Sequence, residues 1–240
     1  MNFANWRQHI NTPQLAKLCA YLTGDGHIQL KEWRGLVSFY SKDKDQINSI
    51  NNLVLRMFRI KGHIYLDTRR TVRYKLFFIS KPLAQFLVST GTPFGNKANQ
   101  PYSVPDWIVT GSPKLKSAYL RGLFTAEGSV CCSTSKCGKE RWQIGIEQYK
   151  WVRYKQEGKK YMSQIKSMLG YFGIISSPVR FGKRNLRKDG TNSIAIKLDI
   201  EAPSFGNFYK YIGFDLEEKN TRLLRGMRRQ RAISPLCGGS

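Results

Sequence analysis

Two short segments roughly a hundred residues apart constrain the fold of this chain most: Leu15-Ala-Lys-Leu-Cys-Ala-Tyr-Leu-Thr-Gly-Asp-Gly26 and Ser117-Ala-Tyr-Leu-Arg-Gly-Leu-Phe-Thr-Ala-Glu-Gly128. Aligned on their acids, Leu18 to Gly26 matches Leu120 to Gly128, which points to internal duplication. In the first segment Ala16, Ala20 and Gly24 recur at spacing four; in the second so do Ala118, Gly122 and Ala126. That spacing puts each trio on one face of a helix. Stripes of small residues let helix backbones approach more closely than leucines would. Helices packed side by side along these stripes are expected to bring their C-terminal ends together, and with them Asp25 and Glu127.

The sequence after each segment repeats as well. After Gly26 the pattern predicts strands at His27 to Lys31 and Leu36 to Ser41, then a helix from Asp43 to Phe58 with Ile47, Ile50, Val54 and Met57 on its apolar face. Strands at His63 to Asp67 and Val72 to Ile79 and a helix from Pro82 to Val88 complete the first half. The second half gives strands Ser129 to Ser133 and Arg141 to Gln148, a helix near Tyr161 to Phe172, strands Pro178 to Lys183 and Ser193 to Ile200, and a helix near Phe205 to Tyr211. The expected class is α+β, two pseudo-symmetric αββαββα halves. Their boundaries are 1–98, a Pro- and Gly-bearing linker at 99–113, and 114–226, with 227–240 as a basic tail that frays.

Period-two alternation assigns the strand faces. Val72, Tyr74, Leu76 and Phe78 oppose Arg73, Lys75 and Phe77; Ile194, Ile196, Leu198 and Ile200 oppose Ser193, Lys197 and Asp199. One face is expected to pack on helices and the other to be basic, and a β-ribbon fits the major groove of B-DNA. Base and phosphate contacts are expected from Arg34, Tyr40, Arg69, Arg73, Lys75, Arg141, Gln143, Arg180, Arg184 and Arg187.

Charge points the same way. The 240 residues carry 40 Lys and Arg against 16 Asp and Glu, a formal net charge of +24 spread along the whole chain. A folded protein this basic binds a polyanion as a rule. The five cysteines (Cys19, Cys131, Cys132, Cys137 and Cys237) are odd in number, form no C-x-x-C pair, and read as reduced thiols. Three histidines are too few for a His-rich metal site. No apolar run approaches the roughly 20 residues that span a bilayer, and Met1 to Gln14 lacks a signal-peptide core. The expected location is the cytoplasm or nucleoid of a prokaryote or archaeon, or an organelle matrix.

A carboxylate at a helix C-terminus sits on an already negative dipole end, so something positive should compensate. Asp25 and Glu127, with the free carbonyl oxygens of Gly24 and Ala126, make an oxygen-rich set suited to Mg²⁺. Gly26 and Gly128 are expected to stop each helix in the left-handed conformation.

Leu18 to Gly26 and Leu120 to Gly128 resemble the two copies of the LAGLIDADG motif in single-chain homing endonucleases, with Asp25 and Glu127 at the catalytic acid position. The resemblance covers nearly the whole chain, since αββαββα is also that family's repeat. It implies a saddle of two antiparallel sheets over DNA, and a monomer joined at its paired helices. The implied activity is metal-dependent hydrolysis of one phosphodiester per strand across the minor groove, leaving short 3′ overhangs. Mg²⁺ or Mn²⁺ would support cleavage, and Ca²⁺ would bind without supporting it. The segments Gly91 to Lys97 and Ile212 to Lys219 resemble the family's lysine-bearing stretches, so Lys97 and Lys219 are implied near the scissile phosphates. Gln148 fits the family's strand-end glutamine; the first half has Ser41 there, a departure that leaves its water-positioning group open. His27 is expected to serve the surface or DNA.

The longer segment Lys150 to Lys160 breaks the symmetry and implies an asymmetric rather than strictly pseudo-palindromic target. The rival reading is a splicing maturase that binds intron RNA on the same fold without cutting. An acid at both motif ends favours the nuclease. With no flanking splicing domain or helix-turn-helix evident, a free-standing, intron-encoded protein is expected rather than an intein or a regulator.

Overall fold

A computed structural model describes residues 3–69, 71–135, 140–186 and 190–233. The chain divides into two compact units, Met1–Ala126 and Glu127–Ser240.

In the first unit a 3-10 helix, Phe3–His9, precedes α1 (Pro13–Thr23), whose start is set by Pro13 and by the Thr12 hydroxyl, which accepts from the Leu15 N–H. Strands β1 (His27–Leu30) and β2 (Gly35–Ser41) lead to α2 (Lys44–Phe58), N-capped by Asp43. Strands β3 (His63–Asp67) and β4 (Arg73–Ile79) lead to α3 (Lys81–Ser89), N-capped by Ser80. The sheet is antiparallel in the order β1-β2-β4-β3. Ile47, Ile50, Val54, Met57 and Phe58 of α2 are buried, as are Ile28, Val37, Phe39, Leu76 and Phe78, which form the sheet's apolar face. Trp6, Phe58 and Phe86 close the core edge to face. A short helix, α4 (Asp106–Val109), lies inside the expected linker, and α5 (Pro113–Glu127) follows.

The predicted helix stripe is a contact within this unit. A Cβ on Gly122 would stand 3.0 Å from the Ala20 Cβ and 2.9 Å from the Lys17 carbonyl oxygen, so only glycine admits this approach. The division between units falls inside the last turn of α5, whereas the expected boundaries at 98 and 113 follow the repeat in sequence. The difference has a physical cause: α5 packs on α1.

In the second unit β5 (Gly128–Thr134) and β6 (Glu140–Trp151) lead to α6 (Lys155–Gly170). Strands β7 (Arg180–Leu186) and β8 (Asn192–Ile200), α7 (Phe205–Tyr211) and α8 (Glu217–Ile233) complete it. The sheet order is β5-β6-β8-β7, again antiparallel. Helix α6 presses Gly158 onto Ile196 and Lys150, and α8 lays Gly226 on the ring of Trp142. Ile144, Ile146, Ile194, Ile196, Leu198 and Ile200 are buried, as the alternation predicts.

Three expectations change. Residues 227–233, expected to fray, continue α8, because its buried Leu223 and Gly226 dock on the second unit and Arg229 pairs with Glu140 across 3.7 Å; residues 234–240 lie outside the described residues. Strand β6 runs three residues past Gln148, so the segment expected as an insertion is partly strand and partly the first turns of α6. Gly26 and Gly128 have no positive φ. Gly26 is needed for space instead: its Cβ would stand 2.7 Å from the Leu22 Cα. Gly128 opens β5, paired with Ile146.

Candidate active site and nucleic-acid faces

Each motif ends on its acid beside a lysine. Asp25 lies exposed just after α1, and Glu127 is the half-buried last residue of α5. Four carbonyls around the end of α1 receive the Lys97 ammonium: Leu22 at 3.0 Å, Thr23 and Gly26 each at 2.9 Å, and Gly24. In the second unit Lys219 Nζ donates to the Gly128 carbonyl at 2.6 Å and lies 5.7 Å from the centre of the Phe214 ring. The positive charge that the helix dipole calls for is therefore supplied by a lysine in each repeat. The Gly24 carbonyl, expected as a metal ligand, accepts from Lys97 instead.

The donors suit a hard divalent ion. Mg²⁺ binds through one or two carboxylates and keeps several waters, and Asp25, exposed at its helix end, leaves room for those waters. Among the described residues no group of three or more His, Cys, Asp or Glu is gathered as a soft or caged metal site would require.

Strand register assigns the remaining candidates. Beyond β2's apolar residues, Ser41 gives its hydroxyl to Gln46 at 2.6 Å and accepts from the Asp43 N–H, so it is spent on starting α2. Gln148 pairs with Ile196 on the helix-packed side of its sheet and is buried. Neither presents its side chain on the open face of its sheet. The strand-end pattern does not reveal this, because β6 continues to Trp151 and changes which residue is last.

On the open face of the first sheet, Arg73 lies over the Tyr40 ring with 4.3 Å to its centroid. Lys75 stands 5.5 to 5.8 Å from the centres of the Tyr40, Tyr65 and Phe77 rings, and His63 stacks on Phe77. Cations held over aromatic rings are partly desolvated and preset in direction. His27 shares this face; burial, then the charges of Lys97 and Lys75, hold its pKa below the usual histidine value. Arg34 is exposed in the β1–β2 turn and Arg69 in the β3–β4 turn.

In the second unit Arg141 and Gln143 pair with Ser133 and Cys131 on the face turned from α6 and α8. Arg180 pairs with Lys197 on that face and bonds to Asp199. Arg184 departs from expectation. A bulge between Phe181 and Arg184 sets it opposite Ile194, so it projects to the helix side. Arg187 lies outside the described residues. These faces also carry acids, each paired with a cation: Asp199, which the alternation places there, and Asp67 and Glu147, which were not among the expected site residues. Their odd positions in the strand alternation were the available signal.

Comparison with known proteins agrees with the two-repeat fold. A family model described as a LAGLIDADG-like domain matches residues 12–90 and again 114–213. Among solved structures, the homing endonuclease I-DmoI in complex with DNA and Mn superposes with a TM-score of 0.55 at 16% identity, covering 84% of this chain and 96% of that one. The homing endonuclease I-WcaI bound to its DNA recognition sequence gives 0.55 at 14% identity, covering 92% and 91%. Among curated proteins, the tRNA-splicing ligase RtcB of Pyrococcus furiosus is 26% identical over 216 residues, 85% of this chain and 21% of that protein. The glutamine--fructose-6-phosphate aminotransferase of Methanocaldococcus jannaschii is 25% identical over 218 residues, 88% of this chain and 17% of that protein. The chain thus spans about a fifth of the length of the curated relatives it matches.

Proposed function

Because the chain belongs to the family of LAGLIDADG-like domains, we propose that it is a site-specific, metal-dependent endonuclease that cuts both strands of a long DNA target. The observation that carries this is the repeated motif end, an acid with a lysine on its neighbouring carbonyls, once as Asp25 with Lys97 and once as Glu127 with Lys219. The similar solved structures hold DNA, with Mn or Ca, which supports DNA as partner and a divalent cation as cofactor. The curated relatives carry unrelated names over a shared segment of about a fifth of their length, so the segment's own activity is independent of theirs.

Asp25 in the first unit and Glu127 in the second would each offer a carboxylate to a divalent cation, which when bound supplies Lewis-acid activation of water and neutralises charge on the leaving oxygen. Lys97 and Lys219 keep the two motif ends positive, so that a phosphate meets a cation beside each carboxylate. The aromatic-backed cations Arg73 and Lys75, with Arg141 and Gln143 in the second unit, engage DNA bases and phosphates. Readout spread over two unlike sheets predicts an asymmetric target and unequal cutting of the two strands.

The test is cleavage of a supercoiled plasmid library with and without Mg²⁺, with sequencing of the ends. Asp25→Asn and Glu127→Gln should each bind DNA and fail at double-strand cleavage. Unchanged cleavage in both variants would remove the assignment; binding of structured RNA with no DNA cut in any divalent metal would move it to the intron-RNA reading.

A further inference from the structure

Among the described residues, three carboxylates lie on the sheet faces turned from the helices: Asp67 in the first unit, Glu147 and Asp199 in the second. On a chain of net charge +24 whose ligand is a polyanion, an acid on the approaching face weakens phosphate binding. Each nevertheless grips a cation: Asp67 holds Arg69, Glu147 takes Lys197 at 2.6 Å, and Asp199 takes Arg180.

The geometry is most complete at Asp67, the last residue of β3. Its side chain is 5% exposed, that of Arg69 73%. Arg69 Nε donates to Oδ1 at 2.9 Å and Nη2 to Oδ2 at 3.1 Å, while the Arg69 backbone N–H donates to Oδ1 at 3.3 Å. The carboxylate therefore fixes both the start of the turn and the plane of the guanidinium. A guanidinium has five N–H groups in a rigid fork. With the Nε and Nη2 edge taken, the Nη1 and outer Nη2 hydrogens remain as a pair pointing away from Asp67, in the plane the acid sets. Two parallel N–H groups in that arrangement match O6 and N7 of guanine in the major groove. The charge of a paired arginine is largely offset by its acid, which diminishes the pair's attraction to phosphate relative to a base edge.

Resting on the DNA-cutting reading above, we propose that Asp67 is a specificity-determining positioning residue that aims Arg69 at a guanine. It separates the cations of this face by task. Arg69, held by an acid, reads a base; Lys75, held by aromatic rings, binds phosphate.

The experiment selects binders from a randomised DNA duplex library in Ca²⁺, using the full chain as wild type, Asp67→Ala, Arg69→Ala, Arg69→Lys and the double alanine variant. Wild type should enrich guanine at a position where each single variant loses discrimination by roughly tenfold, the scale of one bidentate base contact. Other positions should keep their preferences, and the double variant should lose no more than either single one. Asp67→Ala should also bind unselected DNA more tightly, because a negative charge is gone; a merely unfolded variant binds every sequence worse. Arg69→Lys carries the test if Asp67→Ala does not fold, since it keeps the charge and removes the fork. Guanine discrimination that survives Asp67→Ala and Arg69→Lys overturns the proposal, as does a uniform loss at all positions. A wild type that enriches no sequence overturns the DNA-cutting reading, and the proposal with it.

Discussion

The ammonium of Lys97 stands 2.9 Å from the carbonyl oxygen of Thr23, the last residue of α1, and shares itself with the neighbouring carbonyls of Leu22, Gly24 and Gly26. One charge thus satisfies the acceptors that every helix leaves open at its C-terminus, and it does so around the motif acid.

Lys97→Met should therefore destabilise the first unit by about 2 kcal/mol, the scale of a charged hydrogen-bond donor removed from partly buried acceptors. Denaturant unfolding reads this directly. Lys97→Arg, which keeps a cation at the four carbonyls, should cost less; a Lys97→Met variant as stable as wild type would show that Lys97 is not the helix-end clamp described.

Gly122→Ala separates propensity from packing. In an exposed helix the change would gain about 1 kcal/mol. Here the added Cβ would stand 2.9 Å from the Lys17 carbonyl oxygen and 3.0 Å from the Ala20 Cβ, and overpacking of that kind costs roughly 1–3 kcal/mol. The expected outcome is a lower thermal midpoint, with Gly122→Leu lower still.

Acid should release the Asp67 clamp. Hydrogen bonds and charge from Arg69 hold the Asp67 carboxyl at about 2, below its ordinary 3.8. Because the folded value is depressed, its stabilising contribution is complete above 3.8 and is lost as pH falls from there through about 2. The gap in denaturant midpoint between wild type and Asp67→Asn should be open at pH 5 and narrow steadily as pH falls from 3.8 toward about 2.

His27 should act over a higher range. Its folded pKa lies below 6.5, through burial first and then the nearby charges of Lys97 and Lys75. Between the folded value and 6.5 the unfolded chain binds a proton that the folded one does not, so stability rises with pH there and levels off above 6.5. His27→Gln should flatten that part of the pH–stability curve, measured against wild type.

Much of the architecture was legible because its causes are local. The duplicated segments, the Asp43 cap, the 3.6-residue pattern of Ile47, Ile50, Val54 and Met57, and the alternation through Leu76 and Phe78 are read from neighbours in sequence, and the elements formed where those patterns stand. The stripe at Gly122 was legible too, since side-chain size at spacing four fixes how near another helix can come. The acids Asp25 and Glu127 stand out for the same reason, as the one position at which both repeats end.

The remainder depended on contacts between residues far apart in sequence. That Lys97 reaches a helix end more than seventy residues earlier, that α8 docks instead of fraying, that a bulge turns Arg184 to the helix side while Ser41 and Gln148 are taken by a cap and by the core, are decided by register and packing that no short window contains. So is the Asp67 clamp on Arg69. The alternation puts Asp67 on the open face, but only the folded turn shows which edge of the guanidinium it holds and which it leaves free. Sequence by itself determined the repeat, the elements and the two acids that end the motifs, because periodicity and side-chain size act locally; tertiary structure decided which polar groups remain available, because a hydrogen bond made to one partner withdraws that group from another.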